Sequence, residues 1–171
     1  WRALAGVEAE VHLRERIYEA TQVIPPRPTP GRMRPYDDRD RELVLGWMAA
    51  FYAEAMPGSA EGDPERFLRH RLTDPNAGIA LWDDGGPKSM VGMAGPVAGV
   101  ARIGPVYTPT EHRRQGYASA AVAAFSRRAL AQGAHTCMLY TDLANPTSNK
   151  IYAEVGYRRF AEWEEHAFER A

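Results

Sequence analysis

The chain has 171 residues, enough for one domain with a sizeable core, and its 44% apolar and 25% charged composition is that of a globular protein. A net charge of −1 removes the bulk attraction that binding to nucleic acid or to an anionic membrane draws on. A single cysteine, Cys137, excludes an intrachain disulfide and suits a reducing cytoplasm. No apolar run approaches the roughly 18 residues that span a bilayer. Arg14, Glu15 and Arg16 interrupt the N-terminal stretch too early for a secretory leader. The five histidines are scattered without metal-ligand spacing, so no metal site is expected.

In chain order, Leu4, Val7, Val11 and Ile17 recur at near-helical spacing among charges, which predicts a helix over residues 1–24. Pro25, Pro26, Pro28 and Pro30, followed by Gly31, can neither continue a helix nor enter a central strand, and predict a stiff extended linker. Residues 1–30 therefore read as a helical arm and linker, and residues 31–171 as the main domain. With Trp1 in first position, the arm reads as the end of something preceding it in a longer protein. Met33–Tyr36 predicts a short strand. Asp37–Asp40 offers caps for a helix that carries Leu43, Trp47, Phe51 and Ala55 at four-residue spacing and stops near Met56-Pro57-Gly58. Pro64–Leu72 predicts a shorter helix. Ile79–Trp82, Met90–Val97 and Val100–Tyr107 predict three strands.

A polar loop, Thr108–Gln115, then leads to a helix from about Gly116 to Gln132. Thr136–Thr141 predicts a buried strand, Pro146–Val155 a helix, and Arg158–Phe168 one or two final strands. Helices alternating with strands make the class mixed α/β.

Two segments carry chemistry. Arg113-Arg114-Gln115-Gly116-Tyr117-Ala118 opens a helix after a strand. Amides in a first helical turn have no intrahelical acceptor, and the macrodipole adds positive potential, so a pyrophosphate fits there. Gly116 allows close backbone approach, and Ala118 keeps the next contact small. The second segment, Asn145–Tyr157, is a well-formed helix. Asn145 caps it, Pro146 suits its first position and Gly156 its stop.

Arg113-x-x-Gly116-x-Ala118 resembles the Gln/Arg-x-x-Gly-x-Gly/Ala cofactor motif of the GNAT superfamily of acyl-CoA-dependent N-acetyltransferases. Asn145, Ser148, Tyr152, Gly156 and Tyr157 match that family's second motif at each of its positions. The resemblance covers about Arg32 to Phe168 and is sharpest over Ile103–Tyr157. It implies a mostly antiparallel mixed sheet with a splayed pair of parallel strands, flanked by helices. It implies that backbone amides around Arg113, Arg114, Gln115, Gly116, Tyr117, Ala118 and Ser119 hold the pyrophosphate of acetyl-CoA, and that the strand ending Val106-Tyr107 bulges and pairs with the pantetheine arm. Gly104-Pro105 is compatible with such a bulge.

By the same resemblance, an amide of Val106 or Tyr107 stabilises the oxyanion, Tyr152 is the general acid toward the departing thiolate, and Asn145 and Asn149 bond pantetheine amides. The acceptor, an amine of a small molecule, peptide or protein, is expected near Trp47, Phe51, Tyr52 and the Met56–Asp63 loop, with Trp163 as an outside candidate. Glu54, Tyr107, Glu111, His112 and Asp142 stay open as bases. Cys137 reads as packing. A non-catalytic module binding acyl-CoA or a protein partner is the alternative, and exposed sheet edges allow a homodimer.

Overall fold

The computed structural model of the protein describes residues 9–55 and 62–168. Seven strands form one sheet: β1 (Ala9–Ala20), β2 (Arg32–Pro35), β3 (Gly78–Asp83), β4 (Pro87–Val97), β5 (Val100–Tyr107), β6 (Thr136–Asp142) and β7 (Arg158–Phe168). Four helices flank it: α1 (Arg41–Ala55), α2 (Pro64–Thr73), α3 (Tyr117–Ala131) and α4 (Pro146–Glu154). The spatial order is β2-β3-β4-β5-β6-β1-β7, and every neighbouring pair is antiparallel except β5 and β6. This is the expected mixed sheet with one parallel pair.

The N-terminal expectation is corrected. Ala9–Ala20 is a strand, not a helix, and it lies inside the sheet between β6 and β7 rather than on a detached arm. Its charges are a cross-strand ladder, not the wet face of a helix. Arg14 pairs with Glu164 and Arg16 with Glu162, each at 2.9 Å, and Trp163 Nε1 donates to Glu15 at 2.7 Å. All three partners lie on β7, at the other end of the sequence, so local periodicity carries no trace of them. Residues 1–8 of the expected helix lie outside the described residues. The proline segment, residues 21–31, forms neither helix nor strand and joins β1 to β2.

The sheet has a core on each face. On one, α3 and α4 cover Val91, Ala101, Ile103, Cys137 and Leu139, with Val122, Phe125, Tyr152 and Val155 from the helices. On the other, α1 and α2 cover Ile79, Leu81, Met90 and Tyr107 with Val44, Met48 and Leu68. The deepest stripe of α1 is therefore Val44–Met48, one residue off the expected series, and Leu43, Trp47 and Phe51 flank it half-buried.

One irregularity in the sheet positions everything that follows. Val91 pairs with Val106, but Met93 pairs with Ile103, so β5 carries one extra residue at Gly104-Pro105. Proline has no N–H to give a ladder, and a bulge is where a strand accommodates one. The extra residue puts both Ile103 and Val106 against the α3/α4 core. Opposite the bulge sits Gly92, where a Cβ would stand 2.7 Å from Gly104 O. Neither backbone can yield, so Gly92→Ala should lower unfolding stability by about 1–3 kcal/mol in a denaturant titration.

Candidate active site

The parallel pairing of β5 and β6 is short. It runs through Val100–Thr136, Ala101–Cys137 and Arg102–Met138, and stops. Beyond it, Ile103–Tyr107 and Leu139–Asp142 have no ladder between them, which leaves a wedge open at the C-terminal ends of both strands. Hydrogen bonds brace the wedge on the β5 side. Arg71 from α2 donates to Met93 O at 3.1 Å, on the facing strand β4, and to Gly104 O at 3.2 Å, within the bulge. Buried Ser89 donates to Tyr107 O at 3.0 Å and accepts from the Thr108 hydroxyl at 2.9 Å. The Arg71 bonds satisfy carbonyls at the bulge, and the Ser89–Thr108 pair fastens the end of β5.

The wedge leads into the loop before α3. Gly116 is the N-cap at φ 92°, without a side-chain capping bond, and the first helical bond runs from Ala120 N to Gly116 O at 2.9 Å. The amides of Arg114, Gln115, Gly116, Tyr117, Ala118 and Ser119 donate to no acceptor among the described residues. Arg114 holds φ 61°, a left-handed conformation that costs a non-glycine residue about 1 kcal/mol or more. A run of unpaired donors at a helix N-terminus suits a multiply charged anion.

The loop's side chains are mostly occupied elsewhere. Tyr117 donates to Asp84 at 2.8 Å, tying the loop to the β3–β4 hairpin, and this bond to a carboxylate raises the phenol's pKa. Gln115 Nε2 donates to Glu111 O at 3.2 Å. Arg113, expected at the mouth of the loop, turns toward α1. Its Nε donates to Thr108 O at 2.8 Å, its Nη2 to Glu54 at 2.6 Å, and its guanidinium lies 5.8 Å from the Tyr107 ring centre.

A guanidinium that sequence reasoning passed over stands on the loop instead. Arg27, from the proline segment, donates to Arg114 O at 3.0 Å. A Cβ at position 116 would meet Thr29 Oγ1 at 2.7 Å and Arg27 Nε at 3.1 Å.

On α4, Asn145 Oδ1 accepts from Ser148 N at 3.0 Å, an ordinary helix cap. Asn149 donates to Asp142 O and Asn145 O and accepts from the Tyr18 hydroxyl at 3.1 Å. Tyr18 belongs to the N-terminal strand and so is a second residue that the sequence reading missed. Tyr152 packs between Tyr18 and Tyr157, with ring centres 6.3 and 6.2 Å away, and is only 9% exposed. Burial pushes its pKa up to about 12. Val106 joins the same core, whereas the Tyr107 side chain crosses to the other face, 6.3 Å from Trp47 and hydrogen-bonded to Glu54 at 3.1 Å. β5 thus sends Val106 to the face under α3 and α4 and Tyr107 to the face under α1 and α2.

Tyr152 gives a pH test. Its folded pKa lies above the unfolded value of 10, so the stability that it contributes is complete below pH 10 and is lost as pH rises toward 12. Two units correspond to about 3 kcal/mol. Only the first of those units is lost by pH 11, so unfolding free energies from denaturant titrations at pH 9 and pH 11 should differ less in Tyr152→Phe than in the wild type by about 1.4 kcal/mol.

Trp47, Phe51 and Tyr52 cluster over the second core, with the Phe51 and Tyr52 rings edge-on at 5.9 Å. Residues 56–61 of the expected acceptor loop lie outside the described residues. Trp163 is not brought to this group: it sits on β7, separated from β5 by β6 and β1. His112 stacks edge-on against Tyr117, and Asp142 caps Ala144 N at 2.8 Å. Cys137 is buried with its thiol pushed up to about 11 by desolvation, which suits packing rather than reactivity. No group of side chains able to hold a metal ion occurs among the described residues. A surface cleft of about 510 Å³ opens at the β2 edge beside Arg34, Asp40 and Asp83, but Arg34 is already held between the two carboxylates in ion pairs of 2.6 and 2.9 Å.

No curated protein matches the sequence. Among solved structures, a GNAT-family acetyltransferase from Colwellia psychrerythraea aligns with a TM-score of 0.67 at 17% identity, over 94% of this chain and 56% of its own. A GCN5-related N-acetyltransferase from Kribbella flavida gives 0.66 at 19%, over 95% and 60%. A GNAT-family acetyltransferase from Brucella melitensis, solved in complex with acetyl-CoA, gives 0.57 at 13%, over 82% and 95%. The chain thus spans less than two thirds of the first two relatives, and the likeness to all three is one of fold. The sequence model of the acetyltransferase (GNAT) family matches residues 36–157, from the end of β2 to the start of β7 and across the wedge and both motifs. The chain belongs to the acetyltransferase (GNAT) family.

Proposed function

We propose that the protein transfers an acetyl group from acetyl-CoA to a primary amine of a small molecule, peptide or protein, by direct attack while both substrates are bound. The observation that carries this reading is the continuity of the β5/β6 wedge with the acceptor-free amides of 114–119. A long donor with a charged pyrophosphate and an extended arm matches that shape, and the Brucella melitensis relative binds acetyl-CoA on the same fold.

In this reading the amides of 114–119 take the pyrophosphate, and the unpaired edge of Ile103–Tyr107 lines the pantetheine arm. An amide of Val106 or Tyr107 meets the carbonyl oxygen of the thioester as negative charge develops there. The amine nitrogen bonds to the carbonyl carbon, the carbon–sulfur bond breaks, and the surplus proton of the amine leaves to water. Tyr152 donates a hydrogen bond to the departing sulfur. Complete proton transfer from a phenol of pKa about 12 to a thiolate near 8.5 would be uphill by about 5 kcal/mol, so the bond, not the transfer, is what it supplies. Binding of Asn149 to the arm would exchange its present bonds to Tyr18 and Asp142. Trp47, Phe51 and Tyr52, with Glu54 beyond them, would contact the acceptor.

Calorimetric titration with acetyl-CoA, followed by thiol release across a panel of amines, tests the reading. Binding with amine-dependent release supports it. Binding without release for any amine would favour a module that only senses acyl-CoA.

A further inference from the structure

The segment 21–31 leaves β1, passes the C-terminal end of α4, crosses to the N-terminus of α3, and only then enters β2. It is fastened at both ends. Ile24 N donates to Val155 O at 3.0 Å, and Trp82 Nε1 donates to Pro30 O at 2.7 Å. Between these points Pro25, Pro26, Pro28 and Pro30 fix φ and thin out the alternative conformations. Thr29 Oγ1 donates to Arg27 O at 3.2 Å, which closes a small turn around Arg27. The segment is thus a strap, and its one cationic side chain comes to rest on the loop whose amides lack acceptors.

An exposed arginine on a mobile arm would lose side-chain and backbone freedom on gripping an anion. Here the backbone part of that loss is already met in folding. Arg27 uses one of five N–H donors, on Arg114 O, and the rest stay available to a phosphate. The motif arginine is less free: Arg113 is neutralised by Glu54 of α1.

We infer that Arg27, held by the proline strap, is the principal side-chain cation for the pyrophosphate of the donor, and that Arg113 instead ties the loop to the acceptor side through Glu54. This rests on the donor site proposed above. In consequence β1 and its strap are part of the binding site, although they lie outside the residues that the family model covers.

The test is calorimetry of CoA and 3′-dephospho-CoA with the wild type, Arg27→Ala, Arg27→Lys and Arg113→Ala. A lost charge-assisted contact should raise the Kd of Arg27→Ala by about 10-fold or more for both ligands, with partial recovery in Arg27→Lys. The salt dependence of binding should flatten in Arg27→Ala, a readout that mere loosening of the strap would not move. Arg113→Ala should cost less than Arg27→Ala. A Kd for Arg27→Ala within about 2-fold of wild type, tighter binding, or a larger loss in Arg113→Ala would each overturn the inference while leaving the donor site in place. A loss confined to CoA would move Arg27 to the 3′-phosphate and overturn the pyrophosphate assignment. Failure of the wild type to bind either ligand would sink the donor site itself.

Discussion

Gly116→Glu should abolish measurable acetyl-CoA binding, a loss of at least about 100-fold, while leaving a folded protein. Three effects act together. The residue holds φ 92°, where a side chain costs about 1 kcal/mol or more. A Cβ there would press on Thr29 and Arg27 and shift the strap. The new carboxylate would also sit among amides that otherwise have only an anion to serve, opposing the phosphate by like charge. Gly116→Ala separates the terms, since it keeps the first two without the third, and should bind with an intermediate Kd. The thermal midpoint of both variants should fall by only a few degrees, because the glycine is half-exposed at a helix end rather than in either core. Equal binding by Gly116→Glu and wild type would place the donor somewhere else on the molecule.

Tyr152→Phe is expected to separate binding from turnover. The ring packs against Tyr18 and Tyr157, and phenylalanine preserves that packing, so the Kd for acetyl-CoA should stay within a few-fold of wild type. Thiol release at saturating amine should fall by about 100-fold or more, the scale of a lost acid contact in the transition state. The phenol stays protonated well beyond neutral pH, so ionisation of Tyr152 should not limit the rate of the wild type below about pH 10. Unchanged turnover in Tyr152→Phe would leave the tyrosine a packing residue at the back of the wedge.

What the sequence disclosed follows the range of the interactions. The Gly116 turn, the Asn145 cap and the Pro146 start of α4 are decided within a few residues, and they stand where the motifs put them. The bulge at Gly104-Pro105 was legible for the same reason, because a proline in a strand needs a local remedy. The strand Ala9–Ala20 was hidden, since Arg14, Arg16 and Glu15 find their partners on Glu164, Glu162 and Trp163. The places of Arg27 and Tyr18 were hidden with it, because only the route of the strap and the sheet order bring them to the two motifs. Arg113 shows the reverse case: its motif position is local, but its side chain is claimed by Glu54 from α1.

Amide hydrogen exchange with and without saturating acetyl-CoA tests the central claim most directly. Protection on binding should concentrate in Val106–Tyr107 and in 114–119, amides that lie along the wedge and over the α3 N-terminus, while β2 and β3 at the far edge exchange unchanged. Binding that protects the β2 edge, and leaves Val106–Tyr107 and 114–119 exchanging as before, would contradict the account.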